Sequence, residues 1–109
     1  MRTLRFHIEQ NTLAQDPTCN FDGLFPTPDQ KIRAEFRFSE EWANTPKVVG
    51  FYSMLGKEYP PQVLDEENSC MIPPEALNLP AFKLQILGNN RGKIITTNTL
   101  TVYQKGGKV

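Results

Sequence analysis

Arg33-Ala34-Glu35-Phe36-Arg37-Phe38-Ser39-Glu40-Glu41-Trp42 alternates apolar and charged residues over a strand's length and ends on the only tryptophan. Side chains of a strand point alternately to opposite faces. Ala34, Phe36 and Phe38 therefore share one face, and Arg33, Glu35, Arg37 and Ser39 share the other. A strand dry on one side and wet on the other belongs to a sandwich or an open antiparallel sheet.

The chain around this stretch has 109 residues, enough for one hydrophobic core and not for two. Residues 1–104 read as a single domain, and residues 105–109, charged and glycine-rich, as a flexible C-terminal tail. Lys plus Arg and Asp plus Glu number 12 each, so no net field favours nucleic acid or an anionic membrane, and neither is expected as a partner. No run approaches the roughly 20 apolar residues of a membrane span, and Met1-Arg2-Thr3-Leu4-Arg5 leads into no signal-peptide core. These features predict a soluble protein made in the cytoplasm. Cys19 and Cys70 form no motif, and a disulfide between them is not expected in a reducing compartment.

Further strands follow from the same periodicity. Leu4, Phe6 and Ile8 alternate with Arg5, His7 and Glu9, giving a first strand over residues 3–9. Residues 10–30 lose the pattern and are rich in turn formers, which predicts a long loop with Leu24 and Phe25 tucked against the core. Lys47 to Ser53 is apolar on both faces and reads as a central strand, with Gly50 marking a bulge or a close backbone approach. Pro60 and Pro61 confine residues 59–65 to a sheet edge, because each removes a ladder donor. Ser69 to Ile72 is a short strand, residues 73–77 form one proline-started helical turn, and Ala81 to Leu87 is half-buried. Residues 88–92 signal a hairpin, and the return strand starts at Lys93, passes Thr96-Thr97-Asn98-Thr99 and resumes at Leu100 to Tyr103.

Seven or eight short strands with frequent turns predict an all-β fold, an antiparallel β-sandwich of immunoglobulin-like or jelly-roll-like kind, with a small barrel as the second choice. The expected core is Leu4, Phe6, Ile8, Phe36, Phe38, Val49, Phe51, Phe82, Leu84, Ile86, Leu100 and Val102. Trp42, just past a strand end, either closes one end of that core or anchors a partner.

Little in the sequence points to catalysis. His7 is the only histidine and lies on a polar strand face, so His-pair metal sites are excluded. Neither cysteine has the surroundings of an activated nucleophile, and Cys70, alternating with Ile72, reads as core. The acidic run Asp65-Glu66-Glu67-Asn68 lacks the ligand spacing and central glycine of a calcium loop and reads as a solvated turn. Glu40 and Glu41 face opposite sides if the strand continues, which disfavours a shared acid–base site. Residues 88–92 have no Lys-Ser or Lys-Thr after the glycine and no following helix, as a phosphate cradle would require. No catalytic residue, metal ligand or cofactor is predicted, and the protein is expected not to be an enzyme.

The order of these segments resembles a known group. Phe36-Arg37-Phe38-Ser39-Glu40-Glu41-Trp42 is followed by Pro46-Lys47-Val48-Val49-Gly50-Phe51, then Cys70-Met71-Ile72-Pro73-Pro74-Glu75-Ala76-Leu77. Phe82 to Gly88 and Ile95 to Val102 complete it. Over roughly residues 33–103 this is similar in plan to small tail and baseplate β-sandwich proteins, and to receptor-binding-protein modules, of siphophages and prophages of Gram-positive bacteria. The resemblance implies a non-enzymatic virion protein of the tail region, assembled in the host cytoplasm and acting through contacts with other phage tail or baseplate proteins. A homotrimer or hexamer would suit a tail of that symmetry. The chain carries no collagen-like repeat or heptad stalk, as a longer fibre protein would.

Phe21, Leu24, Phe25, Trp42 and Tyr59 are the candidate partner-contact residues, with core capping as the alternative for the three in the long loop. The sheet edge not blunted by proline is where another subunit would add. Two other readings stand beside this one. A carbohydrate-binding module for a host cell-wall polysaccharide would need Trp42, Tyr52, Tyr59 or Tyr103 as an exposed platform, and a small phage factor would bind a host protein instead.

Overall fold

In the computed structural model, residues 1–27 and 29–104 are described, so the tail expected at 105–109 lies outside the described residues. The first sheet holds β1 (Arg2–Glu9), β2 (Thr12–Gln15), β3 (Ile32–Phe38) and β6 (Ser69–Met71), in the order β2-β1-β3-β6. The second holds β4 (Lys47–Tyr52), β5 (Glu58–Val63), β7 (Ala81–Asn90), β8 (Lys93–Thr96) and β9 (Leu100–Tyr103). Its order is β5-β4-β7, with β8 and β9 both on the far side of β7. The two sheets pack face to face as an all-β sandwich. One helical turn, α1 (Pro74–Leu77), carries the chain from the first sheet to the second.

The alternation read from the sequence places the core. Leu4, Phe6 and Ile8 of β1 meet Ala34 and Phe36 of β3 on the inner face, with the Phe6 and Phe36 rings stacked at 5.0 Å. Val49, Phe51, Phe82, Leu84, Ile86 and Val102 face them from the second sheet. Phe38 and Leu100 are only partly buried. Leu24 is buried as expected, and Trp42 closes one end of the core, the first of its two expected roles. The burial of Leu13, Ile32, Ile72, Ala76 and Leu77 was not among the expectations for the core strands. Most of these five sit at strand ends or turns, where no run of alternation reveals them.

The pairing differs from an all-antiparallel arrangement in one place. β1 and β3 are parallel, in the register Leu4↔Ala34, Phe6↔Phe36 and Ile8↔Phe38. Parallel neighbours need a long crossover. Residues 10–31 supply it, which explains a loop of that length in so small a domain. The crossover also contains β2, where no strand was expected, hairpinned back onto β1 through Gln10 at a φ of 56°. With Leu13 its one buried side chain, β2 is too short to show a period.

Two other local expectations are corrected. The strand of the opening stretch stops at Phe38, and a 3-10 turn over Glu40–Trp42 swings the indole into the core, so Glu40 and Glu41 do not continue a strand. The hairpin near residue 90 is tighter than residues 88–92: β7 runs on to Asn90, and Arg91 and Gly92, at φ of 55° and 86°, form a two-residue turn. Positive φ at both central positions matches the right-handed twist of the strands it joins.

Close approach explains two glycines. A β-carbon on Gly88 would lie 2.8 Å from Trp42 Cζ3 and 2.9 Å from Thr45 Cγ2, so the indole lies against bare backbone. Gly50 is covered by the Tyr52 ring, whose Cζ would come within 2.9 Å of an added β-carbon. The β4–β5 register shifts between Val49 and Phe51, the bulge that Gly50 predicted.

Side-chain amides close both flanks of the sandwich. β8 and β9 are one strand interrupted at residues 97–99, where Asn98 Oδ1 accepts from the Leu13 amide at 2.6 Å and Nδ2 donates to the Leu13 carbonyl at 3.2 Å. Thr97 Oγ1 takes the Ile86 amide at 3.1 Å, replacing the ladder bond lost to the interruption. After β9, buried Gln104 donates to the carbonyls of Leu77 and Leu79, each at 2.9 Å, and accepts from Gln30 at 3.1 Å. Among the described residues no buried side-chain nitrogen or oxygen lacks a partner.

Candidate functional site

The outer faces of the two sheets have opposite character. On the first sheet, β1 presents Arg5, His7 and Glu9, and β3 presents Arg33, Glu35 and Arg37. Arg33 is a hub, 2.9 Å from Glu67, 3.5 Å from Asp65 and 3.7 Å from Glu35, and Glu35 also holds Arg5 at 3.3 Å. Each exposed pair of this kind contributes only about 0–1 kcal/mol, so the network orders the surface more than it holds the fold. The acidic turn behind it is set by Asp65, whose Oδ1 accepts from the amides of Glu67 and Ser69, both at 2.9 Å. That carboxylate serves backbone amides and an arginine.

On the second sheet the outer face is apolar at one end. Val48, Val63 and Leu87 lie in one row across β5, β4 and β7, because Val48 pairs with both Val63 and Leu87. Ile94 and Pro46 extend the row into a shallow, almost wholly apolar depression of about 340 Å³. Val63 is 75% exposed and Ile94 61% exposed. Scattered single apolar residues on a surface are ordinary, whereas these lie side by side.

A second concavity, about 550 Å³, is a slot on one flank between β9 and the crossover segment from Gln15 to Asp22. The segment is shaped by Asp16, whose carboxylate accepts from the Thr18 amide and hydroxyl, both at 2.8 Å, and is held below the usual carboxylate range by those bonds. Arg2 ties down its far end, donating to the carbonyls of Asn20 at 3.0 Å and Asp22 at 2.6 Å. Between them Cys19 stands in for a neighbouring strand: its thiol receives the Arg5 amide at 3.4 Å and points to the Thr3 carbonyl at 3.9 Å.

The predicted contact residues are not brought together. Leu24, 2% exposed, and Trp42, 1% exposed, belong to the core and are corrected as contact residues. Trp42 Nε1 donates to the Gln10 carbonyl at 2.6 Å, so both its ring and its polar atom are engaged internally. Phe21 is half-buried, edge-on to Phe6 at 5.4 Å, and Tyr59 packs partly against the core beneath Lys57. Phe25 alone is well exposed, at 54%, which corrects the expectation that it tucks against the core. The apolar depression on the second sheet went unread because Val48, Val63, Leu87 and Ile94 come from four strands, and their meeting depends on register.

His7 lies on the wet face, 3.2 Å from Glu9. Lys47 sits 4.9 Å over the Phe38 ring and donates to the Thr45 carbonyl at 2.8 Å, with burial lowering its pKa. Burial, with a smaller push from Asp65, raises the Cys70 thiol to about 12, so it carries its proton at neutral pH. Both cysteines are free. Among the described residues no group of three or more His, Cys, Asp and Glu side chains is placed to hold a metal ion, and no helix is long and apolar enough to cross a membrane. No protein-family model, curated protein or solved structure matches the chain.

Proposed function

We propose that the protein is a non-enzymatic structural module that acts by docking onto another protein, and that its setting is the tail or baseplate region of a phage particle. The observation that carries the docking reading is the apolar depression around Val48, Val63, Leu87 and Ile94, set on a domain whose opposite outer face is charged. The phage setting comes from the segment order of residues 33–103, with its resemblance to small siphophage tail modules. Removing the exposed parts of Val63 and Ile94 from water would contribute a few kcal/mol at about 25 cal/mol per Å², enough to help fix a subunit in an assembly. Burial of Trp42 withdraws the largest ring from the carbohydrate-binding alternative, which then rests on Tyr103, 62% exposed.

Tail particles purified from the phage or prophage that encodes the chain test the proposal. The wild-type chain should be found in them, and a Val63→Lys/Ile94→Lys variant should fold normally yet fail to incorporate. Absence of the wild-type chain from the particles overturns the phage setting. Incorporation of the double variant at wild-type level overturns the role of the depression.

A further inference from the structure

The free edges of the two sheets are not equally protected. Unpaired strand edges invite other chains, and proteins blunt them with proline, charge or brevity. β5 carries Pro60 and Pro61, β6 is three residues long, β8 opens with Lys93, and β2 is pinned beside Asn98. β9 is Leu100-Thr101-Val102-Tyr103, with no proline and no charge, and its last three residues have high strand propensity. It borders the 550 Å³ slot.

The slot is walled by the strand's edge. All four consecutive residues of β9 line it, which a single face of a strand cannot do when its side chains alternate. Hydrogen bonding fixes which backbone groups look into it. Ala81 pairs with Tyr103, and the Gln104 amide donates to the Pro80 carbonyl at 2.7 Å, so the neighbouring pair Pro80–Gln104 is of the hydrogen-bonded kind. Antiparallel pairs alternate. Val102 and Leu100 therefore bond to β7, while the N–H and C=O groups of Thr101 and Tyr103 point away from it, and no group among the described residues bonds to them. Across the slot, the edge of β1 is already served by the Cys19 thiol. One sheet edge is stoppered by a side chain, and the other is left open.

We infer that the slot receives an extended peptide strand from another polypeptide, which adds to β9 by main-chain hydrogen bonds. Donors and acceptors repeating every second residue along a straight edge are matched by a peptide backbone. The volume lies within the range of peptide and small-ligand sites. Among the described residues Asp22 is the only charged side chain lining the slot, so the fitting strand is neutral or basic and carries no acidic residue opposite it. This surface is separate from the apolar depression on the second sheet, and the inference does not depend on that reading.

The test uses a displayed library of random heptapeptides, selected on the wild-type protein and counter-selected on Thr101→Pro. Proline is tolerated on an edge strand where its N–H would face outward, so this variant keeps the ladder to β7 while blocking the slot. Enriched peptides are expected to alternate β-branched or aromatic residues, to lack acidic ones, and to bind the variant at least about tenfold more weakly. An enriched peptide should slow hydrogen exchange at the Thr101 and Tyr103 amides of the wild-type protein. Its copy N-methylated on alternate amides should not. These last two measurements stand even where Thr101→Pro fails to fold. Unchanged exchange at Thr101 and Tyr103, or equal binding by the N-methylated copy, overturns the inference. Protection that grows with protein concentration alone also overturns it, by assigning the edge to a second copy of this chain.

Discussion

Trp42 and Gly88 form the tightest fit between two residues, and neither can change alone. With the indole fixed by its bond to the Gln10 carbonyl, a methyl group at residue 88 has nowhere to go. Gly88→Ala is expected to cost about 1–3 kcal/mol in urea unfolding, although alanine would otherwise suit a strand no worse than glycine. Cys70 gives a second prediction, readable in pH. Its thiol is raised from 9.0 to about 12. Below 9.0 both folded and unfolded chains hold the proton, while between 9.0 and about 12 only the folded chain does, so its contribution to stability is lost as pH rises through that window. Cys70→Ala should flatten the alkaline fall in stability relative to wild type, by at most about 1.4 kcal/mol per pH unit. At this scale the sequence placed Cys70 in the core, where it is partly buried. It could not show that a tryptophan and a glycine 46 positions apart would touch, since that needs the two sheets in place.

Among the elements, the interrupted strand β8–β9 and the short hairpin strand β2 hold each other. Asn98 fills both backbone valences of Leu13, so Asn98→Ala should leave an amide and a carbonyl unpartnered. The expected loss is about 1–3 kcal/mol, with faster hydrogen exchange at the Leu13 amide reporting that the damage is local. Asn98→Asp, which keeps the acceptor and drops the donor, should fall between the two. Strands with a strict two-residue alternation, β1, β3 and β7, were legible from sequence with nearly correct bounds. Prolines marked β5 as an edge, and Gly50 marked a bulge or close approach in β4. β2 was invisible because a four-residue strand with one buried leucine has no period, and the parallel pairing of β1 with β3 because alternation fixes a strand's faces but not its direction.

For the molecule as a whole, that parallel pair is expected to slow folding. β1 and β3 meet only after residues 10–31 have been looped out, and the second sheet returns to the first at Asn98. Sandwiches dominated by such distant pairings fold in milliseconds to seconds, and stopped-flow refolding from urea is expected in that range. Microsecond refolding would mean that a local hairpin, such as the one at Arg91 and Gly92, nucleates nearly everything. The apolar depression was not legible at any scale below this one, because its members are neighbours only in the finished sheet. The contrast between the two outer faces has a geometric consequence. A body with a greasy patch on one outer face and an ionic network on the other is not the same either way up. Any layer tiled from it would inherit a top and a bottom without further instruction.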